Sequence, residues 1–180
     1  MIKINRIWEM PNSRTFKIKA IKNIIKKYTN EGDVVVDPFA NEFSIKNEIN
    51  VKKYISNDLD LEYETDYHLE AQDFMKLFDN ETVDVVLFDP PYSGRQVSEC
   101  YKKLGKTVTM ADTNSGYFTK FKEEISRIVK PNGIVITCGW NSNGVGKKYG
   151  FEIIEILLVA HGAMHNDTIV TIERKVSVND

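Results

Sequence analysis

The sequence has little cysteine, no long hydrophobic run and no large surplus of charge of either sign. Its 180 residues include two cysteines, Cys100 and Cys138, which are too few for a disulfide scaffold and lack metal-ligand spacing. The longest apolar stretches, residues 83–88, 133–138 and 153–160, fall well short of the roughly 20 residues that span a bilayer, and the N-terminus has no signal-peptide core. We therefore expect a soluble, cytoplasmic protein in a reducing compartment.

The net charge of −2 conceals a strong segregation of charge along the chain. Residues 1–30 carry eight Lys or Arg against one Glu, residues 31–92 carry four against sixteen Asp or Glu, and residues 93–180 carry twelve against nine. A near-neutral average argues against nucleic-acid binding, because neutralising phosphates takes a surplus of Lys and Arg. Basic flanks around an acidic middle indicate either distinct binding faces or ordinary solvated surface.

Periodic apolar residues predict alternating strands and helices in a single domain over residues 1–180, with no repeat, low-complexity run or linker. Apolar side chains at three- and four-residue steps, with lysines between them, predict a basic helix over 17–28. The spacing further predicts a helix over 118–129 and strands over 34–36, 54–57, 67–69, 83–88, 134–138, 151–160 and 168–174. The last two strands are close enough to pair antiparallel, which favours an open α/β sheet ending in a hairpin.

Acidic residues directly follow several of the predicted strands. In doubly wound sheets ligands bind at the carboxyl ends of the strands, where these residues lie. Asp58 comes about 20 residues after Asp37, the interval at which a second-strand carboxylate meets the ribose hydroxyls of a nucleotide ligand. Asp60 competes with Asp58 for this role, and because many acidic loops satisfy the same interval, a purely structural role stays open.

The tetrapeptide Asp89-Pro90-Pro91-Tyr92, directly after the strong apolar strand over 83–88, is the most specific motif. Two prolines fix φ and donate no hydrogen bond, so they form a rigid turn. A carboxylate and a proline carbonyl accept N–H groups, while an aromatic face stacks on a planar ring. The combination suits the exocyclic amine of a nucleic-acid base. A proline-stabilised loop without a function is the plainer alternative.

The ordered set of Asp37-Pro38-Phe39, Asp58, Asp73-Phe74 and this tetrapeptide resembles the amino-methyltransferases that use S-adenosylmethionine, specifically the DNA N6-adenine type. The resemblance covers nearly the whole chain. It implies a Rossmann-like methyltransferase fold: a mostly parallel seven-stranded sheet with a C-terminal antiparallel hairpin and helices on both faces. Residues 10–16, ahead of the basic helix, match the place where circularly permuted members carry a further cofactor-binding segment.

The resemblance also implies a role for each matched position. In the family the first loop holds the methionine part of the cofactor, the second-strand acid binds its ribose, and the third-strand acid meets its adenine amino group. The implied cofactor-binding residues are Asp37, Pro38, Phe39, Asp58, Asp73, Phe74, Thr15 and Phe16, and the implied catalytic residues are Asp89, Pro90, Pro91 and Tyr92. The family's first loop contains glycines, whereas residues 40–44 contain none; Asn41 is the residue there that takes the left-handed conformation at modest cost.

Few residues are available for target recognition, because we expect no separate target-recognition domain in the chain. The insertion over residues 93–116 supplies Ser93 and Arg95, and later loops supply Trp140 and His165; these four are the predicted substrate-binding residues. A solvated helix and a sheet-capping indole are the alternatives. We expect recognition through a homodimer or a specificity partner, and we expect no metal, since the cluster over 161–167 lacks a complete ligand set.

These expectations combine into one predicted function. The chain is expected to transfer a methyl group from S-adenosylmethionine to an exocyclic amine of a nucleic-acid base, N6 of adenine in DNA being favoured over RNA. An RNA guanine-N2 methyltransferase and a catalytically silent nucleic-acid-binding relative stay open as alternatives. Protein-glutamine methylases resemble the same site but carry Asn at the first position of the tetrapeptide, so Asp89 argues mildly against them.

Overall fold

The computed structural model describes residues 1–42, 45–114, 116–162 and 164–176, and a seven-stranded sheet forms its centre. The strands are β1 (Lys3–Trp8), β2 (Val34–Asp37), β3 (Lys53–Ser56), β4 (Val83–Phe88), β5 (Val129–Gly139), β6 (Phe151–Ala160) and β7 (Thr168–Lys175). Their spatial order is β1-β6-β7-β5-β4-β2-β3. β7 runs antiparallel to β5 and β6 and the other pairs are parallel, which confirms the predicted sheet with its C-terminal hairpin.

Helices cover both faces of the sheet, as predicted. They are α1 (Lys19–Lys27), α2 (Ala71–Met75), α3 (Gly94–Lys103), α4 (Met110–Thr113) and α5 (Thr119–Ile128), with 3-10 turns at Thr15–Lys17, Lys46–Glu48 and Lys147–Tyr149. On one face α1 buries Ile21 and Ile25 against Leu87 of β4. On the other face α2, α3 and α5 form a second core, in which Ile125 packs over Val86. In the described part of the chain, no helix is long and apolar enough to cross a membrane.

The sheet has seven strands, but one of them is not the strand that the sequence predicts. The segment over 67–69 makes a single parallel bridge, between Tyr67 and Asn57, and then stops pairing. Pairing stops because the Asn57 side chain hydrogen-bonds the backbone of Leu69 in place of a neighbouring strand. It donates to the Leu69 carbonyl at 3.0 Å and accepts from the Leu69 N–H at 2.9 Å. The seventh strand is instead β1, an edge strand beside β6, whose largely exposed side chains leave no buried apolar run to reveal it.

The parallel pairing brings the ends of four strands to one edge of the sheet. β2 pairs with both β3 and β4, and β4 pairs with β5, all in parallel register. Their carboxyl ends therefore open at the same side, where the acidic residues that follow β2, β3 and β4 come together. This edge is where a ligand site is expected in an open α/β sheet.

Candidate active site

A cavity of about 640 Å³ lies at this edge of the sheet. Its walls come from the loops after β2, β3, β4, β5 and β6, from the segment that precedes α1, and from α3. The predicted residues on its wall are Asp89, Pro90, Pro91, Tyr92, Pro38, Phe39, Asp58, Thr15, Trp140 and His165. The fold thus gathers into one cavity residues that the sequence spreads over most of its length. The volume lies within the range of small-molecule and cofactor sites.

Asp89 and Tyr92 contact each other at the start of the tetrapeptide turn. The Tyr92 hydroxyl donates to Asp89 Oδ1 at 2.6 Å, and the Tyr92 N–H donates to Gln96 Oε1 at the same distance. Burial raises the pKa of the Asp89 carboxyl, and hydrogen bonds from Tyr92 and Thr15 oppose that rise. Burial also raises the pKa of Tyr92, so its hydroxyl stays protonated and acts as a donor. The turn therefore presents an acceptor carboxylate that neighbouring hydroxyls hold in place.

An aromatic wall flanks this carboxylate at the mouth of the cavity. The rings of Tyr92 and Trp140 lie edge to face, with centroids 5.7 Å apart and planes inclined at 73°. Trp140 is 41% exposed, so its indole stands partly in solvent beside the opening. The loop between β6 and β7 completes the rim with Met164 and His165. A planar ligand entering the cavity would meet these aromatic and apolar surfaces first.

Asp37 lies behind the cavity and does not line it. Its carboxyl is fully buried, and it accepts hydrogen bonds from the Tyr54 hydroxyl at 2.5 Å and the Phe39 N–H at 3.3 Å. Burial, with a smaller contribution from the negative charge of Asp89, raises the pKa of Asp37 to about 7. The carboxyl lies beneath the first loop and holds it through the Phe39 amide, and the predicted contact of Asp37 with a cofactor stays a prediction.

The described part of the first loop makes a left-handed turn without glycine. Asn41 has φ of 55°, the conformation that the sequence allows there at modest cost, and lines the cavity with Pro38 and Phe39. Phe39 packs edge-on against Phe88 and Phe121, with centroids 5.8 and 5.5 Å apart. Asn41 thus adopts a left-handed backbone conformation in a loop where the family pattern has glycine. Residues 43 and 44 of this loop lie outside the described residues.

Asp58 and Asp60 both line the cavity, but their carboxylates have different bonding partners. Asp58 accepts backbone N–H groups from Asn41 and Asp60, both at 2.9 Å, and burial raises its pKa. Asp60 is buried and forms an ion pair with Lys103 of α3 at 2.9 Å, which lowers its pKa. A carboxylate has about four acceptor positions, so Asp58 keeps capacity for a ligand hydroxyl, whereas Lys103 neutralises Asp60.

Besides Asp37, three further predicted cofactor residues do not line the cavity. Asp73 is exposed and pairs with Lys76 at 3.0 Å, because α2 begins at Ala71 and turns the carboxylate to its outer face. Phe74, in the same turn, is fully buried in the core. Phe16 is likewise buried, beside α1 in the opposite core. Thr15, the other cofactor residue predicted in the N-terminal segment, does line the cavity.

Two predicted substrate residues also stand away from the cavity wall. Ser93 caps α3, its side chain accepting from the Gln96 N–H at 3.3 Å. Arg95 is exposed and pairs with Glu99 one turn along the same helix at 2.8 Å. The insertion therefore begins as an ordinary capped helix, and neither residue lines the cavity.

The inner face of α3 is the part of the site that the sequence did not reveal. Val97, Cys100, Lys103 and Leu104 line the cavity, so this helix and the residue that follows it form part of the cavity wall. The signal was present in the apolar side chains at positions 97, 101 and 104, which lie on one helical face. The basic residues of the insertion favoured a nucleic-acid interpretation instead. Asn57 was missed too, although its buried amide joins the loops after β2 and β3 by donating to the Pro38 carbonyl at 3.1 Å.

No protein-family model and no curated protein sequence matches the chain. Among solved structures, it is similar to Escherichia coli yhhF, which is named as a methyltransferase, at 8% identity and a TM-score of 0.60, with 94% of this chain and 91% of yhhF covered. It is similar to a chain in the complex of the Haloferax volcanii Trm112 methyltransferase activator with a protein named as a methyltransferase, at 13% identity and a TM-score of 0.59, covering 93% and 92%. A third is the Burkholderia thailandensis 1,6-didemethyltoxoflavin-N1-methyltransferase, solved with 1,6-didemethyltoxoflavin and S-adenosylhomocysteine, at 12% identity and a TM-score of 0.54, covering 81% and 72%. At such identities the likeness concerns the fold, and this chain has a Rossmann-like methyltransferase fold.

Proposed function

We propose that this chain is an S-adenosylmethionine-dependent methyltransferase that methylates an exocyclic amine of a nucleic-acid base, with N6 of adenine in DNA as its substrate. The observation that carries the proposal is the placement of Asp89-Pro90-Pro91-Tyr92 on the wall of a cavity that Asp58 also lines. One wall thus offers acceptors for an amine, and another offers an acceptor for a ribose diol. The methyltransferase fold of the chain supports the same conclusion.

The chemistry of the cavity fits the proposed cofactor. Asp58 accepts hydroxyl groups of a ribose through its spare lone pairs. Leu59 and Val97 supply apolar surface for a flat purine, and the segment at Glu70 and Ala71 supplies polar edges for it. In this scheme the residues at 70–71 replace Asp73 as the adenine contact. The first loop, with Phe39, would hold the methionine part.

When bound, S-adenosylmethionine supplies an electrophilic methyl group on a sulfonium centre. The chain itself orients the nucleophile. The lone pair of an exocyclic amine is delocalised into the base, so the amine attacks poorly unless its hydrogens are held by acceptors. Asp89 and the Pro90 carbonyl are those acceptors in the proposal, and they favour a tetrahedral nitrogen whose lone pair is directed at the methyl group. The nitrogen releases one proton as it gains the methyl group, and the Asp89 carboxylate that bonds the amine is positioned to accept it. Fixed position and fixed charge then provide most of the rate.

The contact between Tyr92 and Asp89 fixes the carboxylate and leaves acceptor positions on it for the substrate. The Tyr92 hydroxyl donates to Asp89 Oδ1 at 2.6 Å. An entering amine can bond the remaining acceptor positions of the carboxylate, while the rings of Tyr92 and Trp140 offer stacking surface to the base. A base in a duplex does not reach such a recessed acceptor, so the target leaves the stack before methylation.

The residues proposed to bind the cofactor and the target amine do not by themselves recognise a target sequence. α3 and its neighbours line the cavity, so the insertion over 93–116 is partly used to enclose it. We propose that a second copy of the chain or a specificity partner supplies the remaining contacts. The complex of one structural neighbour with the Trm112 methyltransferase activator supports such an arrangement. Light scattering of the purified chain, alone and with duplex DNA, reports whether a dimer forms.

The decisive experiment supplies methyl-labelled S-adenosylmethionine with separate pools of DNA and RNA and then identifies the modified nucleoside. We expect N6-methyl-2′-deoxyadenosine in the DNA pool. N2-methylguanosine in the RNA pool would favour the alternative RNA methyltransferase. Absence of labelling together with absence of calorimetric binding of S-adenosylhomocysteine would favour the silent binding module.

Asp89→Ala is the matched variant for that experiment. Removing one preorganised hydrogen-bonding group from a reacting centre typically lowers kcat by about 100- to 1,000-fold. We expect a loss of this size in methyl transfer, with S-adenosylhomocysteine affinity within about threefold of the wild type. A fully active Asp89→Ala protein would contradict the assignment. Asp79→Ala, an exposed carboxylate far from the cavity lining, serves as the control.

A further inference from the structure

His161 is a buried imidazole on the cavity wall that the proposed reaction does not use. It follows β6 directly and is 5% exposed. Its Nδ1 lies 2.8 Å from the Glu9 carbonyl oxygen, and its Nε2 lies 2.9 Å from the Thr168 hydroxyl. Its backbone N–H donates to Asp167 Oδ1 at 3.1 Å. The ring therefore joins segments that are 152 and 7 residues away in the chain.

The partners determine the protonation pattern of the ring. A backbone carbonyl only accepts hydrogen bonds, so Nδ1 must carry the hydrogen that bonds Glu9. In the neutral ring Nε2 then accepts the hydrogen of the Thr168 hydroxyl, which can rotate to provide it. Both ring nitrogens are thereby engaged in contacts within the protein.

Glu9 starts the segment that forms one cavity wall, which we name the N-terminal strap and define as residues 9–15. Besides the bond to His161, Glu9 donates its N–H to the Ala160 carbonyl at 3.1 Å, and its side chain accepts the Ala20 N–H at 3.2 Å. The strap then crosses the cavity, which Pro11, Asn12, Ser13 and Thr15 line.

The far end of the strap is also attached. Arg14 forms an ion pair with Glu42 of the first loop, and the Arg14 N–H donates to Asn12 Oδ1 at 2.9 Å. This ion pair is exposed on both sides, so it contributes little on its own. The Thr15 side chain also hydrogen-bonds the Asp89 carboxyl, so the strap is held at both ends. At the Glu9 end, the imidazole is the side chain that bonds the strap backbone.

We infer that His161 is a positioning residue that holds the N-terminal strap over the cavity. By doing so it keeps the cofactor wall and the substrate rim in fixed positions relative to each other. The inference rests on the proposed function for the meaning of those two walls. The rim is included because the loop with His165 and Asn166 starts at His161 and is tied back to it by Asp167. Displacements of about 1 Å in such walls are enough to lower the rate of an enzyme strongly.

The test compares His161→Asn with His161→Gln, because the two amides reach different partners. The Asn side chain places an N–H near the position of Nδ1 and can restore the bond to the Glu9 carbonyl. The Gln side chain reaches the position of Nε2 and can restore the contact with Thr168 only. The Asn side chain is one methylene shorter than that of Gln, so a larger effect of His161→Gln could not come from lost volume. Near-UV circular dichroism establishes that both are folded.

Two measurements are made on the full chain, and one of them needs no ligand. Amide hydrogen exchange at Glu9 and Arg14 reports whether the strap is held, since both amides are hydrogen-bonded in it. Calorimetry with S-adenosylhomocysteine reports the cofactor wall. The loss of one hydrogen bond corresponds to roughly three- to tenfold in either quantity. We expect changes of that size in His161→Gln and His161→Ala, and values within twofold of the wild type in His161→Asn.

The outcomes separate this inference from the proposed function. Wild-type exchange rates in His161→Gln, or equal losses in His161→Asn and His161→Ala, would overturn the role of the Glu9 bond. A wild-type protein that does not bind S-adenosylhomocysteine would overturn the proposed cofactor. In that case the exchange rates at Glu9 and Arg14 would still decide whether His161 holds the strap.

Discussion

The buried carboxyl of Asp37 makes the stability of this protein depend on pH in a way that can be calculated. Its pKa of about 7 lies well above the ordinary value of 3.8, chiefly because the carboxyl is buried. For an acid whose pKa is raised by folding, the stabilising contribution is complete below the unfolded pKa. It is lost as the pH rises towards the folded pKa. Since one pKa unit corresponds to about 1.36 kcal/mol, the full loss is on the order of 4 kcal/mol.

Replacing Asp37 with Asn removes this titration and keeps an acceptor for the Tyr54 hydroxyl. Between pH 5 and pH 8 the wild type should lose about 2.5 kcal/mol relative to Asp37→Asn in free energy of unfolding. The difference between the two proteins isolates Asp37, because all other titrating groups are shared. Urea denaturation followed by circular dichroism, at half-unit steps of pH, measures it.

Asp79→Asn is the control, since Asp79 is exposed. Its stability should follow the wild-type profile throughout. Parallel profiles for the wild type and Asp37→Asn between pH 5 and pH 8 would show that the carboxyl is ionised in the folded protein over this range. That result would refute the reasoning from burial, and with it the electrostatic coupling of Asp37 to Asp89.

Three further predictions concern the cavity and its rim. Asp58→Ala should weaken S-adenosylhomocysteine binding at least tenfold by calorimetry, while Asp73→Ala, outside the cavity, should change it less than twofold; equal effects would contradict the choice of Asp58. Trp140→Ala should raise KM for nucleic acid by about tenfold or more through lost stacking, with cofactor affinity unchanged, and an unaltered KM would exclude stacking. Gly144→Ala should lower the free energy of unfolding in urea by about 2 kcal/mol or more, because φ is 53° and a Cβ would lie 2.2 Å from Glu173 Oε2; a wild-type midpoint would show that Glu173 moves freely.

Much of the fold could be predicted from the sequence because it depends on local patterns. The strands β4 and β6 have the predicted bounds, since their apolar runs are bounded by turn residues on both sides. The helix predicted over 17–28 begins two residues late, at Lys19, because Thr15–Lys17 forms a separate 3-10 turn that buries Phe16. Such boundary differences arise where a tertiary contact competes with helical periodicity.

The candidate site was less predictable, since position along the chain does not determine direction in space. The resemblance assigned a cofactor contact to Asp73, but α2 begins two residues earlier and turns that carboxylate outwards. The basic side chains of α3 suggested contact with phosphates, yet its apolar face closes the cavity. In both cases a helix decided which side chains face inwards, and the start of a helix depends on the packing around it.

The sequence by itself determined most of the strands, the open α/β sheet with its C-terminal hairpin and the turn at Asp89, because short-range periodicity and proline geometry act within a few residues. It did not determine β1, which has no buried apolar run. It allowed the left-handed turn at Asn41 at modest cost. Only the tertiary structure decided that Asp37 is buried beneath its loop and that His161 holds the N-terminal strap. These depend on contacts between residues far apart in the chain, such as the 152 residues between Glu9 and His161, and no local pattern encodes them.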